Sequence, residues 1–291
     1  GYTYVFNRET GEPIWPIEER QVPQSTVPGE QLAATQPFPT KPAPFEYTGA
    51  SIDLLADFTP EIRQQAINAV ADFQLGPLFN PPIQRNHPSG KLAALNCPSG
   101  AVNITHPPVA DPTSGMMYII SRYSCGSRQL VTGEEADTYY EAPTGVRLSQ
   151  YAAANGGPRP RHPTGIPLWK PPYSRITAID LNTGDHAWMI PAGYTPDRIA
   201  DNPALTGVDI GNTGSGAVGP MVVTDSLLIY GNVASDGTDM LYAIDKASGQ
   251  EVAAIEAPAR SRYGMSTWVH EGRQYLILQT GSSLTAMTLP E

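Results

Sequence analysis

Three stretches of this chain repeat one pattern without a gap: Val5-Phe-Asn-Arg-Glu-Thr-Gly-Glu-Pro-Ile-Trp15, Ala178-Ile-Asp-Leu-Asn-Thr-Gly-Asp-His-Ala-Trp188 and Ala243-Ile-Asp-Lys-Ala-Ser-Gly-Gln-Glu-Val-Ala253. A weaker copy, Val109-Ala-Asp-Pro-Thr-Ser-Gly-Met-Met-Tyr-Ile119, keeps the turn but has no Trp. In each, an Asp or Asn opens a tight turn by bonding its side chain to the backbone ahead. A Gly then supplies the positive φ that closes the turn, and the next strand follows at once. Trp15 and Trp188 stand four residues past their glycines, where an indole can dock against a neighbouring unit. Such a device suits radially repeated four-stranded sheets, whose faces stack on one another. Hairpins of an ordinary sandwich would not need three gap-free copies. The expected fold is all-β, about half of an eight-bladed β-propeller with tryptophan-docking motifs.

Working outward, β-rich runs cover Tyr2 to Phe6, Met117 to Ser121, Arg175 to Ile179, Met221 to Thr224 and Leu227 to Tyr230. Met240 to Ile244, Thr267 to His270 and Tyr275 to Gln279 read the same way. Glu271-Gly272 reads as a two-residue hairpin turn between the last two. Two stretches read as non-strand. Residues 16–48 hold seven prolines and are expected to lie extended on the surface. Thr59-Pro60-Glu61 then opens a helix with an N-cap hydroxyl, Pro at N1 and an acid in the first turn. Its apolar stripe is Ile62, Ala66, Ala69, Val70 and Phe73, with Gly76-Pro77 as the stop. Residues 16–85 thus form a Pro-rich, helix-bearing excursion, and 126–172 a long loop of the kind that acts as a lid or interface.

The chain has 291 residues, with 18 basic and 28 acidic side chains giving a net charge of −10. That balance excludes a nucleic-acid partner, which needs a basic footprint. Its 30 Pro and 27 Gly, about a fifth of all residues, mark a turn-rich chain. No run of ~20 apolar residues reads as a membrane span. Cys97 and Cys125 are too few for a disulfide scaffold and lack zinc-ligand spacing; a pair of buried thiols and a disulfide are both open. Gly214-Ser-Gly-Ala-Val-Gly219 matches a dinucleotide fingerprint, but Pro220 and a strand-like run follow where a helix is required, so it reads as a Gly-rich entry to an inner strand. Neither a G-x-S-x-G elbow nor an H-E-x-x-H helix is present.

Of the five histidines, His87, His162, His186 and His270 read as surface residues near turns. His106 differs. It ends Asn103-Ile-Thr-His106, just before a repeat turn, which puts polar groups at the start of an inner strand where a propeller builds its central site. Asn103-Ile-Thr105 is also a glycosylation sequon, in a segment too apolar to favour that use. The acids Glu134, Glu135, Asp137 and Glu141 flank Tyr139 and Tyr140 as a solvated face, with no EF-hand spacing.

These motifs together resemble the C-terminal part of the quinoprotein, pyrroloquinoline-quinone (PQQ)-dependent, alcohol and glucose dehydrogenases. Gly1-Tyr-Thr-Tyr-Val-Phe-Asn-Arg-Glu-Thr-Gly-Glu-Pro-Ile-Trp15 is similar to that family's G-x-x-Y/F-V-x-D-R-x-T-G-E-x-x-W. Pro16 to Gln24, Thr35-Gln-Pro-Phe38, Ser174 to Asp180, Gly219-Pro220 and Gly272 to Tyr275 follow in the family's order. The resemblance implies that 1–291 is the C-terminal portion of one propeller, with calcium ligands and catalytic carboxylate upstream of residue 1. It implies PQQ and calcium as cofactors, an alcohol or sugar as substrate, and a cytochrome or ubiquinone as electron acceptor. It implies a periplasmic or secreted protein, or one associated with a membrane. The partner would be the N-terminal half of the propeller, in the same or a separate chain.

Through the same resemblance, Asn103, Thr105 and His106 are the group from which contacts to the quinone are expected. Ile104 stands where relatives commonly have Trp, and eight residues rather than seven separate Asn103 from Asp111. Those departures favour the alternative, a quinone-free propeller acting as a binding or assembly scaffold. Tyr139, Tyr140, Tyr151 and Trp169 are expected to shape the opening to the site.

Overall fold

The computed structural model describes residues 1–99, 106–138, 150–154, 157–261 and 263–288. All four repeated turns close in the same way. The side chains of Asn7, Asp111, Asp180 and Asp245 accept from backbone N–H groups two or three residues ahead, at 2.8–3.0 Å. Their carbonyls accept from the N–H of Gly11, Gly115, Gly184 and Gly249 at 2.7–2.9 Å, each glycine with φ between +73° and +76°.

In chain order, β1 (Ile17–Gln21) and β2 (Thr35–Pro39) pair as an antiparallel ribbon. The helix α1 (Pro60–Val70) follows, then β3 (Phe73–Gln74), β4 (Ile83–Gln84) and β5 (Ala93–Asn96). Next come β6 (Val109–Asp111), β7 (Met116–Ser121), β8 (Gly126–Thr132), α2 (Gly133–Thr138) and β9 (Tyr151–Ala153). After these are β10 (Arg175–Asp180), β11 (Asp185–Pro191) and the single turn α3 (Asp197–Ala200). The last two groups are β12 (Met221–Val223), β13 (Leu227–Val233), β14 (Asp239–Asp245) and β15 (Glu251–Glu256), then β16 (Met265–His270), β17 (Arg273–Thr280) and β18 (Ser283–Thr288). Two antiparallel four-stranded sheets result, β6-β7-β10-β11 and β12-β13-β14-β15, beside a three-stranded sheet β16-β17-β18. The first strand of the middle sheet, β12, packs against both β6 and β16, so the leading strands of the three sheets lie side by side.

A mostly apolar layer joins the two four-stranded sheets. It contains Tyr118, Ile120, Ile176, Leu228, Tyr230, Tyr242 and Ile244, all 2% exposed or less. Fully burying a side chain of this size contributes roughly 1.5–3 kcal/mol. Trp188 seals the layer at its edge. Its indole Nε1–H donates to the Lys246 carbonyl at 3.2 Å, and a methyl on Gly249 would lie 3.0 Å from its Cδ2. Trp15 covers Gly184 likewise, with Cζ2 at 2.8 Å from where a Cβ would stand. The turn of the weak repeat is tied in by charge: Lys246 Nζ meets buried Asp111 at 2.7 Å and also donates to the Thr224 carbonyl at 3.1 Å.

Several expectations need correction. Tyr2 to Phe6 is not a strand; it meets the far side of its turn only through a bridge from Phe6 to Pro13. The bridge is closed by Ile14 N–H donating to the Val5 carbonyl at 2.9 Å and Asn7 N–H donating to that of Glu12 at 2.8 Å, and no neighbouring strand flanks it among the described residues. Residues 16–48 are not simply extended, since β1 and β2 form there. Pro37 and Pro39 are tolerated because a two-stranded ribbon has outward-facing positions whose N–H is not needed. The helix begins as expected, with Thr59 Oγ1 accepting from Ile62 N at 3.2 Å and Ile62, Ala66 and Val70 buried. It ends at Val70 rather than Gly76, because Phe73 leaves the helical stripe to pair in parallel with Ala93. The span 126–172 is not irregular throughout: it carries β8, α2 and β9.

β8 joins β3, β4, β5 and β9 in one five-stranded sheet. Cys97 and Cys125 form a disulfide across its end, with Cα atoms 4.5 Å apart. Glu271 and Gly272 both have positive φ, +48° and +77°, as the tight turn between β16 and β17 requires. No helix among the described residues is long and apolar enough to cross a membrane.

Candidate functional site

Residues that leave β7, enter β10 and precede β12 converge on one cleft of about 220 Å³. Arg122, Tyr123 and Ser124 follow β7; Trp169, Lys170 and Tyr173 precede β10; Ser215 and Gly216 lie before β12. Arg198 reaches it from α3. Among the described residues three cations line the cleft, and no carboxylate does. Lys170 is neutralised in part by Asp57 at 2.6 Å, whereas Arg122 and Arg198 have no acidic partner among the described residues.

The aromatic wall is held from behind. Tyr123 donates its hydroxyl to the Gly49 carbonyl, and its ring meets Tyr47 and Trp169 edge-to-face, each at 5.5 Å between centroids. Arg175 lies over Tyr47 at 4.1 Å and pairs with Glu46 at 3.0 Å, both side chains almost fully buried. Burial raises the Glu46 pKa; Arg175, the Tyr47 N–H and the Ser121 hydroxyl oppose that shift. Ser174 Oγ–H donates to the Ala192 carbonyl at 2.9 Å and accepts from Gly216 N at 3.0 Å, which fixes the opposite lip.

The glycine run 214–219 works by close approach. A Cβ on Gly214 would stand 2.4 Å from the Ser174 carbonyl oxygen, and one on Gly219 would stand 2.0 Å from that of Gly231. These glycines let the backbone enter β12 between its neighbours, as expected for a strand entry.

His106 sits three residues before the start of the leading strand β6, with 8% of its surface exposed. Among the described residues its Nδ1 is buried without a hydrogen-bond partner. Burial lowers its pKa, and the positive charges of Arg260 and Arg122 lower it further, so the imidazole is neutral near pH 7. Asn103 and Thr105 lie outside the described residues, as do Tyr139, Tyr140 and Glu141. Tyr151 is not in the cleft wall; its hydroxyl donates to the Pro28 carbonyl at 2.9 Å. Trp169 is in the wall, as expected.

His162 is not a surface residue. It is 3% exposed, with Nε2–H donating to the Ile62 carbonyl at 3.0 Å and Nδ1 facing Thr164 Oγ1 at 2.8 Å. Sequence reading missed Arg122, Lys170 and Arg198, because no shared motif joins residues that only the fold brings together. Among the described residues no group of three His, Cys, Asp or Glu side chains could hold a metal ion. Of the acids of α2, Glu135 pairs with Arg85.

With this geometry in place, the chain matches a PQQ family model, described as the glucose/ethanol/alcohol dehydrogenase β-propeller domain, over residues 1–276. It belongs to this family. The glycerol dehydrogenase large subunit of Gluconobacter thailandicus is 27% identical over 99% of this chain and 40% of its own length. Quinoprotein glucose dehydrogenase A of Acinetobacter calcoaceticus is 24% identical over 97% of the chain and 35% of its own length. Among solved structures, a europium-containing methanol dehydrogenase covers 96% of this chain and 34% of its own, at 14% identity and a TM-score of 0.47. This member of the PQQ propeller family thus spans about two fifths of the length of the glycerol dehydrogenase subunits it matches.

Proposed function

We propose that this chain is the C-terminal portion of a PQQ-dependent dehydrogenase that oxidises an alcohol or sugar. The observation that carries this reading is the family match over 1–276. The three adjacent sheets would be consecutive blades of an eight-bladed propeller, and Trp15 and Trp188 their docking tryptophans. The cofactor would lie toward the leading strands, where His106 offers an unpartnered buried nitrogen flanked by the charges of Arg122 and Arg260. Such a setting suits a quinone that carries carboxylates, and Asn103 and Thr105 complete the proposed contact group. PQQ supplies a two-electron acceptor when bound; the neutral His106 would orient it through Nδ1.

The calcium ligands and the catalytic carboxylate are assigned to the remaining part of the propeller, which would be this chain's tight partner. Exposed apolar side chains on the outer sheets, such as Val252 at 61% and Leu284 at 72%, support a further packed neighbour. Electrons would leave to a cytochrome or ubiquinone, on the periplasmic side or outside the cell.

The test is reconstitution of the full-length protein with PQQ and calcium, followed by absorption in the near ultraviolet and visible. A stoichiometric chromophore, released by calcium chelation and weakened by His106→Ala, is expected. A protein that takes up no chromophore is instead the quinone-free scaffold.

A further inference from the structure

We infer that the Cys97–Cys125 disulfide positions the aromatic wall of the cleft, so that a dithiol reductant weakens quinone binding while the protein stays folded. This deepens the dehydrogenase reading by naming a control on its cofactor site, and only the choice of quinone as ligand rests on that reading. Cys97 follows β5 and Cys125 precedes β8, two strands that pair with Asn96 opposite Gly126. The disulfide is therefore the next rung of their ladder, made covalent. Arg122, Tyr123 and Ser124, just ahead of Cys125, line the cleft. Hydrogen bonds tie this run to the segment around Cys97. The Tyr123 hydroxyl donates to the Gly49 carbonyl, and Gly49 N–H donates to the Cys97 carbonyl at 2.7 Å. Ser99 N–H donates to the Ser124 carbonyl at 2.7 Å, and the Ser124 hydroxyl donates back to the Ser99 carbonyl at 3.0 Å. Cys97 and Tyr123 share one core cluster, against which Cys125 and Trp169 pack. β5 and β8 are in register over only three residue pairs. With the S–S bond open, that short ladder and these hydrogen bonds hold the wall alone.

The bond is open to exchange from one side. Cys97 is 2% exposed, whereas Cys125 is only partly buried. Arg128 folds back over the adjoining backbone, where a Cβ on Gly126 would stand 3.2 Å from its Nη1. Neither Arg128 nor Arg122 has an acidic partner among the described residues. A positive setting of this kind favours thiolates. A thiolate of the dithiol attacks Sγ of Cys125; the S–S bond breaks, and Cys97 leaves with its electron pair and takes up a proton. The second thiol of the reductant then displaces Cys125 from the mixed disulfide. Two electrons and two protons pass to the cysteines, and the reductant ends as a disulfide.

Full-length protein held in dithiothreitol below its melting transition tests this, with thiols counted by alkylation and mass spectrometry. PQQ added with calcium should bind about fivefold more weakly once the pair is reduced, the loss expected if the wall then stands in place about one fifth of the time. Reoxidation should restore the affinity. The Cys97→Ala, Cys125→Ala double variant should bind as the reduced parent does and ignore dithiothreitol. Amide exchange gives a reading that needs neither quinone nor variant. The Gly49 and Ser99 amides, bonded to Cys97 and Ser124, should exchange faster on reduction. The Gly249 amide, bonded to Asp245 within its own turn at 2.9 Å, should not change.

Equal PQQ affinity before and after reduction, or a response that persists in the double variant, overturns the inference. So do thiols that appear only as the whole protein unfolds, since the bond would then serve stability alone. A protein that binds PQQ in neither state refutes the dehydrogenase reading, and the two amides then decide the positioning role by themselves: faster exchange supports it, and unchanged exchange overturns it.

Discussion

The indole of Trp188 rests against Gly249, sixty-one positions later in the chain, and donates its N–H to the carbonyl of Lys246 in the same turn. One tight turn thus closes its own hairpin and receives the side chain that fastens the preceding sheet. Gly249→Ala should disturb both. It forces a non-glycine residue into φ +75°, costing roughly 1–2 kcal/mol, and pushes a methyl to 3.0 Å from the ring. Gly11→Ala has the same φ but meets nothing within 4 Å, so it isolates the backbone cost. In the full-length protein Gly249→Ala should be less stable than Gly11→Ala by a further ~1 kcal/mol, read from denaturant midpoints. Equal effects would mean that the ring yields freely.

Asp111 makes stability acid-sensitive. Hydrogen bonds from Lys246 first, then Thr113 and Ser114, hold its pKa well below the usual carboxylate range. A depressed folded pKa contributes stability above the unfolded value, about 3.9, and that contribution is lost as pH falls through and below it. Asp111→Asn should therefore flatten the melting temperature between about pH 5 and pH 3. Glu46, whose pKa is raised by burial, has the opposite sign: its contribution is full below the unfolded value and declines as pH rises.

Reducing the Cys97–Cys125 disulfide releases a loop with a sequence separation of 28. Loop-closure entropy puts its contribution at about 3–4 kcal/mol. The Cys97→Ala, Cys125→Ala double variant should melt lower than the oxidised protein, and dithiothreitol should lower the melting temperature of the parent but not of the variant. Equal sensitivity to dithiothreitol in both would show that the bond contributes nothing.

His162 bonds through both nitrogens to the start of α1 and to its own loop. His162→Phe fills the space but leaves the Thr164 N–H without its acceptor, at a cost of roughly 1–3 kcal/mol. Faster amide exchange at Thr164 and in the first turn of α1 should accompany the loss; uniform exchange in both proteins would show that the imidazole does not anchor the helix.

Much of the fold is legible in sequence because its signals are local. Asp180 to Gly184 encodes a turn within five residues, Thr59-Pro60 encodes a helix start, and Glu271-Gly272 encodes a hairpin. The β1–β2 ribbon was not legible, because prolines argue against strands unless the residue's outward-facing position is known. Phe73 fits a helical stripe by spacing, yet its strand partner Ala93 lies twenty residues on. His106 was singled out because it stands next to a turn with a recognised place in the repeat. Arg122, Lys170 and Arg198 were not found, since each alone is an ordinary surface cation and only tertiary placement makes them a set. The disulfide was left open for the same reason: separation along the chain says nothing about the 4.5 Å between the two Cα atoms.

The five-stranded sheet takes β3, β4 and β5 from one interruption of the repeats and β8 and β9 from another. Neither interruption forms that sheet alone, so the two are a single appendage threaded twice through the chain. Trimming either would leave the strands of the other without their hydrogen-bonded partners. The wall of the cleft hangs from this appendage through Tyr123 and Trp169, so a rearrangement of either interruption is transmitted to the cleft.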